Sequence, residues 1–401
     1  MRVLLFLGLN RGIAGLLSMI ILVGMGERMA ERFLPIYVMA LGGSVLIVGL
    51  LNGLDVLLSA LYSFPGGYLA DRLGTKKSLL LFNLLAMVGF LIVIFIPTWP
   101  AVIVGSFFFL SWTAISLPAT MALVSNVLPK NKRTMGVSMH SLVRRFPMAL
   151  GPLLGGLFIN RWGETTGIRL AFVAALGLAG LAIFLQQRMI PDGMPDAEDG
   201  RRAERNPIKL FREMAPALRR LLISDILVRF CEQIPYAFVV VWAMKRIASP
   251  VSALEFGILT SVEMFTAVLV YIPVAWMADR TGKKPFVVIT FVFFTLFPLA
   301  LIFCQSFHSL IAAFVLRGLK EFGEPTRKAL IMDLAPEGRK AAMFGLYYLL
   351  RDIIVSVAAF GGAFLWMVSP TVNFLTASAF GLIGTLGFLI AGRDEPSGGT
   401  A

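Results

Sequence analysis

Long apolar segments constrain the fold of this chain more than any other feature of its sequence. Of its 401 residues, 58% are hydrophobic and 15% are charged, whereas soluble domains are about 45–50% apolar. A membrane-spanning helix needs roughly 20 apolar residues. The sequence therefore predicts an all-α membrane protein with twelve transmembrane helices, near residues 11–38, 44–69, 77–97, 100–127, 133–159, 167–188, 221–243, 255–278, 284–304, 308–333, 339–367 and 371–391. The first segment is predicted to be a retained helix, because no small-residue cleavage site follows it.

The positive charge of the chain is concentrated on one side of the predicted membrane. The formal net charge is +13, and most of the Lys and Arg residues fall in the predicted cytoplasmic segments. This distribution follows the positive-inside rule, which places both termini in the cytoplasm and the protein in the inner or plasma membrane. Membrane lipids are therefore predicted partners, and nucleic acid is not.

A charged, glycine-bearing loop occurs twice, each time between two apolar segments. The first copy spans residues 67–77 and the second spans residues 275–284. The matching residues are Gly67, Asp71, Arg72 and Gly74 in the first copy and Ala275, Asp279, Arg280 and Gly282 in the second. Because alanine replaces the first glycine in the second copy, the helix contact there is predicted to be looser.

Other positions repeat at a nearly constant spacing in the two halves of the chain. The pairs are Pro118 with Pro325, Pro129 with Pro336, Arg144 with Arg351, and Gly155 with Gly362. This repeat predicts two pseudo-symmetric six-helix bundles, residues 1–188 and 221–401. The hydrophilic residues 189–220 are predicted to be a cytoplasmic linker. The linker holds either a basic amphipathic helix on the inner leaflet or an ordinary solvated segment.

The two loops resemble the loop between the second and third helices of the major facilitator superfamily, and the resemblance covers nearly the whole chain. It implies that Asp71, Arg72, Asp279 and Arg280 act as a latch that stabilises one face of an alternating-access cycle. The alternative is that these loops only hold the orientation of the chain in the membrane.

The predicted fifth helix contains small residues and a proline, which allow close helix packing and bend a helix. These residues are Gly151, Pro152, Gly155 and Gly156. They resemble part of the glycine-proline motif of proton-coupled drug antiporters in the same superfamily, with Pro147 where that motif has a further glycine. Glu31, Arg32 and Phe33 resemble an element of proton-coupled peptide transporters, but Arg28 stands where that element has a glutamate.

Ionisable residues inside the predicted helices are the candidates for a proton and substrate site, because charge in hydrocarbon is costly and faces a cavity or a partner. They are Glu27, Glu31, Asp55, Glu232, Glu263, Arg144, Arg229, Arg317, Arg351 and Asp352. Glu232 and Glu263 are the foremost candidates for protonation. Acidic and basic residues nearly balance, so mutual neutralisation is the alternative role for each of them.

Helical spacing predicts two charged stripes among these segments. Asp225, Arg229 and Glu232 share one face of the seventh predicted helix. Arg317, Glu321, Glu324 and Lys328 are spaced so that they form an internal ion-pair ladder along the tenth.

The resemblance implies a secondary active transporter that works by alternating access on a small-molecule substrate, as a monomer. The 33 Phe and 19 Met residues suit a lipophilic ligand, and the alternative is that they serve lipid contact and helix packing. The predicted function is proton-coupled efflux of a small lipophilic or amphiphilic compound. The alternatives are proton-coupled uptake of an anionic nutrient at the arginines, transport of a lipid or lysolipid, and a membrane sensor that moves nothing. No phosphate-binding loop or nucleophile triad is present, so neither an enzyme nor a cofactor is predicted and protons supply the energy. With only Cys231, Cys304, His140 and His308, no metal site is predicted.

Overall fold

Helices account for all regular secondary structure among the residues that the structure describes. The computed structural model describes residues 11–110, 112, 116, 143–190, 207–336 and 340–393. Within these ranges, eight helical segments are long and apolar enough to cross a membrane. The all-α membrane class predicted from the sequence is therefore confirmed. The predicted helices at 100–127 and 133–159 lie partly outside the described residues, as do Pro118 and Pro129.

The chain divides into two compact units, of which the first comprises Met1–Asp199 and Ser252–Ser261. In this unit α1 packs most extensively against α7 and then against α6. Its described helices are α1 (Arg11–Glu31), α2 (Leu34–Ala40), α3 (Val45–Leu73), α4 (Thr75–Phe95), α5 (Trp99–Phe109), α6 (Arg145–Trp162) and α7 (Glu164–Met189).

The second unit comprises Gly200–Val251 and Val262–Ala401. Here α9 packs most extensively against α16 and then against α15. The remaining helices of the chain are α8 (Pro207–Glu213), α9 (Pro216–Tyr236), α10 (Phe238–Lys245), α11 (Ala253–Thr281), α12 (Lys284–Phe303), α13 (Phe307–Leu319), α14 (Glu324–Asp333), α15 (Lys340–Val368) and α16 (Pro370–Ala391). Helix α11 begins in the first unit and ends in the second.

Three predicted helices are each divided into two, at positions where proline or glycine explains the break. Proline lacks the backbone N–H that a continuous helix requires. Pro35 lies in the first turn of α2, Pro235 lies at the end of α9, and Pro325 lies in the first turn of α14. Gly323 directly precedes α14, and its N–H donates a hydrogen bond to Oγ1 of Thr290 at 2.5 Å. The predicted continuous helix at 308–333 is therefore wrong in this respect, because residues 320–323 form a turn.

Equivalent glycines support the same helix crossing in both units. A Cβ atom at Gly155 of α6 would overlap the carbonyl oxygen of Met29 in α1. A Cβ atom at Gly362 of α15 would overlap the carbonyl oxygen of Ile234 in α9. The pairing of Gly155 with Gly362, predicted from their spacing in the sequence, thus corresponds to one packing contact made twice.

Helix α8 lies in the predicted linker and contributes to the apolar core of the second unit. Leu210 and Met214 are buried in this core together with Leu218 of α9. Phe211 is exposed, and the guanidinium of Arg219 lies 5.2 Å from the centroid of its ring. The apolar side of this short helix therefore contacts protein, while its location at the inner leaflet and the domain bounds 1–188, 189–220 and 221–401 stay predictions.

Candidate functional site

The two signature loops end their helices in the same way. Gly74 follows α3 with φ +79°, and Gly282 follows α11 with φ +97°, a backbone region that favours glycine. Arg72 and Arg280 lie exposed in the last turns of these helices. The side chains at Asp71 and Asp279 and the surroundings of Gly67 lie outside the described part of the chain.

The second signature loop is joined to a neighbouring helix. Lys283 forms an ion pair with Asp333 at the end of α14. A link of this kind between the loop and an adjacent helix is what a latch requires. In the first unit, a buried set of hydrogen bonds lies close to the equivalent loop. Nδ2 of Asn83 donates to Gln186 at 2.8 Å, and Nε2 of Gln186 donates to the carbonyl oxygen of Lys76 at 2.8 Å.

The glycine-proline motif of α6 is a close-packing surface. A Cβ atom at Gly151 would crowd Arg28 of α1, and one at Gly156 would crowd the backbone of Ala253 at the start of α11. Pro152 lies inside the helix, and its carbonyl oxygen lies beside Gly257. The small residues therefore allow α6 to approach α1 on one side and the start of α11 on the other.

The candidate residues of the first unit lie along α1, α3 and the start of α6. Glu27 is buried on α1, and Nη1 of Arg28 lies 2.6 Å from Glu31 in an ion pair. Asp55 on α3 and Arg144 at the start of α6 are half-buried. The predicted acidic residues Glu27 and Glu31 are thus buried or paired.

Asp225 is the centre of a charge cluster in the second unit. It forms an ion pair with Arg327 of α14, and both side chains are 1% exposed. The hydroxyl of Tyr347 on α15 donates to Oδ2 of Asp225 at 3.0 Å, and Nη1 of Arg351 lies 3.5 Å from the same oxygen. One carboxylate therefore joins α9 to α14 and α15.

Glu232 lies two turns further along α9 and contacts two basic groups. Its carboxylate lies 2.5 Å from Nη1 of Arg229 and 2.5 Å from Nζ of Lys320. Arg229 also lies 3.2 Å from Glu324 of α14. The predicted charged face of the seventh helix is thus paired both along α9 and across to the turn between α13 and α14.

Glu263 on α11 is 1% exposed and belongs to the same set of ion pairs. Its Oε1 lies 3.3 Å from Nε of Arg317 and 3.8 Å from Nζ of Lys320. The guanidinium of Arg317 lies 5.1–5.6 Å from the centroids of three aromatic rings, those of Phe297, Phe314 and Tyr236. Lys320 therefore stands between Glu232 and Glu263, the two foremost candidates for protonation.

Arg351 and Asp352 of α15 extend the network. Nε of Arg351 lies 2.7 Å from Oδ1 of Asp352, and its guanidinium lies 4.2 Å from the centroid of Tyr348. Contacts of cations with aromatic faces stabilise buried charges without adding a carboxylate. Arg351 thus contacts two carboxylates and an aromatic ring.

A cavity of about 10 Å³ lies against this network, which is room for roughly one water molecule. Its lining combines charged and aromatic side chains, namely Glu232, Tyr236, Val239, Phe294, Phe297, Arg317 and Lys320. The foremost predicted carboxylate, Glu232, therefore borders a space that water can occupy.

The ladder predicted along the tenth helix is only partly present. Lys328 lies 3.4 Å from Glu324 within α14, as predicted. Arg317 instead pairs with Glu263 of another helix, because the turn at residues 320–323 interrupts the helical spacing. The basic residues of this segment therefore form ion pairs with other helices as well as within α14.

Sequence reasoning missed the central positions of Lys320 and Tyr347. The stripe predicted on the tenth helix does not include Lys320, because that prediction assumes a continuous helix at this position. Tyr347 could have been found, because it precedes Arg351 by one helical turn on α15 and so shares its face.

Repeated glycine loops, helices of membrane-spanning length and ionisable side chains buried between them define a multi-pass membrane transporter. The chain belongs to the Major Facilitator Superfamily, whose family model matches residues 16–247 and residues 221–401. The resemblance found in the signature loops is therefore confirmed.

Relatives and solved structures agree with this family. An uncharacterized MFS-type transporter of Methanocaldococcus jannaschii is 23% identical over 375 residues, which cover 90% of each chain. A multi-drug resistance efflux pump PmrA homolog of Lactococcus lactis is 24% identical over 334 residues, or 80% of each chain. A peptide transporter POT in complex with sulfate superimposes with a TM-score of 0.76 at 16% identity, covering 95% of this chain and 94% of that one. The nucleoside transporter NupG gives a TM-score of 0.76 at 13% identity, with 96% and 100% covered.

Proposed function

We propose that this protein is a proton-coupled exporter of small lipophilic or amphiphilic compounds that works by alternating access. It would lie in the inner or plasma membrane with both termini in the cytoplasm. The observation that carries this proposal is the contact of Glu232 with Arg229 and Lys320, at 2.5 Å each, beside a cavity with aromatic walls. An ionisable group in such a contact can bind a proton on one side of the membrane and release it on the other, when its ion-pair partners change with access.

The aromatic side chains around the same cavity support an apolar cargo, which would enter only after a change of access widens this space, because its volume of about 10 Å³ holds roughly one water molecule. Tyr236, Phe294 and Phe297 present aromatic surface next to the charged groups. Binding sites for amphiphilic ligands combine apolar walls with a few polar groups that fix orientation. The efflux function named for the Lactococcus lactis relative agrees with this cargo class.

Uptake of an anion is the second candidate, and one observation favours it. Arg317 is surrounded by three aromatic rings close to Lys320, which would suit a carboxylate with an apolar body. However, Arg317 is paired with Glu263, and Arg229 and Arg351 also have carboxylate partners. An anionic cargo would have to displace an acidic side chain at each position, so export is the preferred function.

The test uses purified protein in liposomes with an acidic lumen. Lumenal pH is followed while lipophilic cations such as ethidium, organic anions and lysolipids are added outside in turn. Proton efflux with lipophilic cations, lost in Glu232→Gln, is expected. Glu213→Gln is the matched control, because Glu213 is exposed on α8 and does not line the cavity.

Other outcomes select among the alternatives. Proton movement with organic anions only, lost in Arg144→Ala while the carboxylates are intact, would select anion transport. A response to lysolipids only would select lipid transport. No proton movement with any compound, from protein that is folded and monodisperse, would refute proton coupling. Because breaking a buried ion pair costs about 3–5 kcal/mol, each variant is first compared with the parent in thermal unfolding.

A further inference from the structure

Lys320 differs from the other buried bases of the network in its chemistry. The bases of the network in the second unit are Arg229, Arg317, Arg327, Arg351 and Lys320, with Lys328 at an exposed edge. A guanidinium stays protonated in proteins, whereas a lysine ammonium can lose its proton when it is buried. Among these buried bases of the described residues, Lys320 is therefore the group that can change charge.

The ion pairs around Lys320 allow this change without leaving a carboxylate unpaired. Nζ of Lys320 lies 2.5 Å from Glu232 and 3.8 Å from Glu263. Glu232 is also paired with Arg229 at 2.5 Å, and Glu263 with Arg317 at 3.3 Å. If the ammonium became a neutral amine, each carboxylate would keep one arginine partner.

The charged and titratable groups around Nζ come from several elements. They are Arg229, Glu232 and Tyr236 of α9 and Glu263 of α11. Arg317, Glu321 and Glu324 lie close to Lys320 in the sequence, on α13, in the turn and on α14. Helix α12 contributes the ring of Phe294, whose centroid lies 5.4 Å from Nζ. The charge of Lys320 thus depends on two carboxylates from two different helices.

Lys320 also lies where the helical backbone is interrupted. It is the first residue of the turn that separates α13 from α14, and its side chain is 8% exposed. Interrupted helices at membrane depth commonly form the ion and substrate sites of transporters. A small rotation of this turn changes the distances from Nζ to Glu232 and to Glu263 together.

We propose that Lys320 carries the coupled proton, with Glu232 and Glu263 as the positioning groups that hold its charged form. This assignment rests on the proposed proton-coupled function. In the release step an N–H bond of the ammonium breaks, the electron pair stays on Nζ, and the proton passes to water at the cavity. Rebinding from the opposite side of the membrane reverses the step. When a conformational change moves a carboxylate away from Nζ, the ammonium loses the attraction that stabilised it. The cost of burying its charge remains, so the proton leaves.

The first test observes the protonation state without any cargo. Solid-state NMR of protein labelled with ¹⁵N at lysine Nζ, in liposomes, distinguishes an ammonium from a neutral amine. We expect one resonance, absent from Lys320→Arg, that changes from ammonium to neutral amine as the liposomes are made more alkaline. A Lys320 resonance that stays that of an ammonium at every pH at which the protein remains folded would overturn the assignment.

The second test separates the assignment from the proposed function. Lys320→Arg keeps the positive charge beside both carboxylates but cannot release the proton, so ethidium-driven proton efflux should fall at least tenfold. Lys320→Gln should lose proton efflux as well, while counterflow of ethidium without a pH gradient is retained in both variants. Lys245→Arg, at the exposed end of α10, is the matched control.

Each outcome of the second test leads to a decision. Proton efflux in Lys320→Arg at the rate of the unmodified protein would assign the proton to a carboxylate and overturn this inference alone. No proton movement in the unmodified protein with any compound would overturn the proposed function, and the assignment with it. If Lys320→Arg loses both proton efflux and its fold, Lys320→Gln and the NMR measurement test the assignment instead.

Discussion

Replacing Asp225 by asparagine should weaken the second unit more than any exposed charge substitution. Asp225 forms an ion pair with Arg327, accepts a hydrogen bond from Tyr347 at 3.0 Å, and lies 3.5 Å from Arg351. The substitution keeps the size of the side chain and removes its negative charge. It therefore tests the charge of this position separately from its volume.

The expected loss of unfolding free energy depends on which carboxylate partners the neighbouring arginines retain. Removing one partner of a buried ion pair costs about 3–5 kcal/mol. In Asp225→Asn, however, Arg327 keeps Glu324 at 2.8 Å and Arg351 keeps Asp352 at 2.7 Å. Neither arginine is left without a carboxylate, so we expect the lower end of the range, about 3 kcal/mol. Alanine at this position also removes the acceptor for the tyrosine hydroxyl and should cost a further 1–3 kcal/mol, approximately.

The measurement is the free energy of unfolding in lipid–detergent micelles, followed by tryptophan fluorescence. Arg327→Gln and the double variant with Asp225→Asn complete a cycle, in which we expect a coupling energy of about 1–3 kcal/mol. Asp352→Asn is the control, because Asp352 is more exposed and contacts one arginine. If Asp225→Asn unfolds within about 0.5 kcal/mol of the parent, or the two substitutions are additive, Asp225 does not hold the network together.

Three further predictions concern packing, the latch and the first unit. Gly362→Ala should lower the free energy of unfolding by about 1–3 kcal/mol, because the added Cβ would overlap a carbonyl oxygen. Gly361→Ala is the control, because its Cβ would lie in open space and should change the free energy of unfolding little. Lys283→Ala breaks the partly exposed pair with Asp333, so stability should change by less than about 1 kcal/mol, while the transport rate in liposomes should change. An unchanged rate would show that this ion pair takes no part in the latch. Asn83→Leu removes two buried side-chain hydrogen bonds and should lower the unfolding midpoint by at least a few degrees, since about 1–3 kcal/mol is lost; an unchanged midpoint would contradict this role.

Features that depend on repetition were predictable from the sequence. Apolar length and composition gave the class of fold, because a bilayer leaves few ways to bury that much apolar surface. The spacing of Gly155 and Gly362 predicted equivalent positions in the two halves, and the packing of these two glycines agrees with that prediction.

The pairing of charges was harder to predict, because it depends on contacts between helices. Helical spacing correctly placed Arg229 beside Glu232 on one face of α9. It could not pair Arg317 with Glu263 or Asp225 with Arg327, since these residues lie far apart in the sequence and meet through tertiary packing. The turn after α13 places Lys320 between two carboxylates. It was not predicted, because the sequence pattern indicated a continuous tenth helix.

The charged face of α9 has a consequence for how the protein is made. The span Pro216–Lys245 has a mean hydropathy of 1.4, the lowest of the eight candidate spans among the described residues. Each charged residue at the centre of a helix opposes insertion by about 2.5–3.5 kcal/mol. Arg327 and Arg351, which neutralise Asp225, are synthesised only after three or more further helices. During biosynthesis α9 is therefore expected to remain at the insertion machinery until α14 and α15 have been synthesised. A chain truncated before Arg327 should leave α9 outside the bilayer.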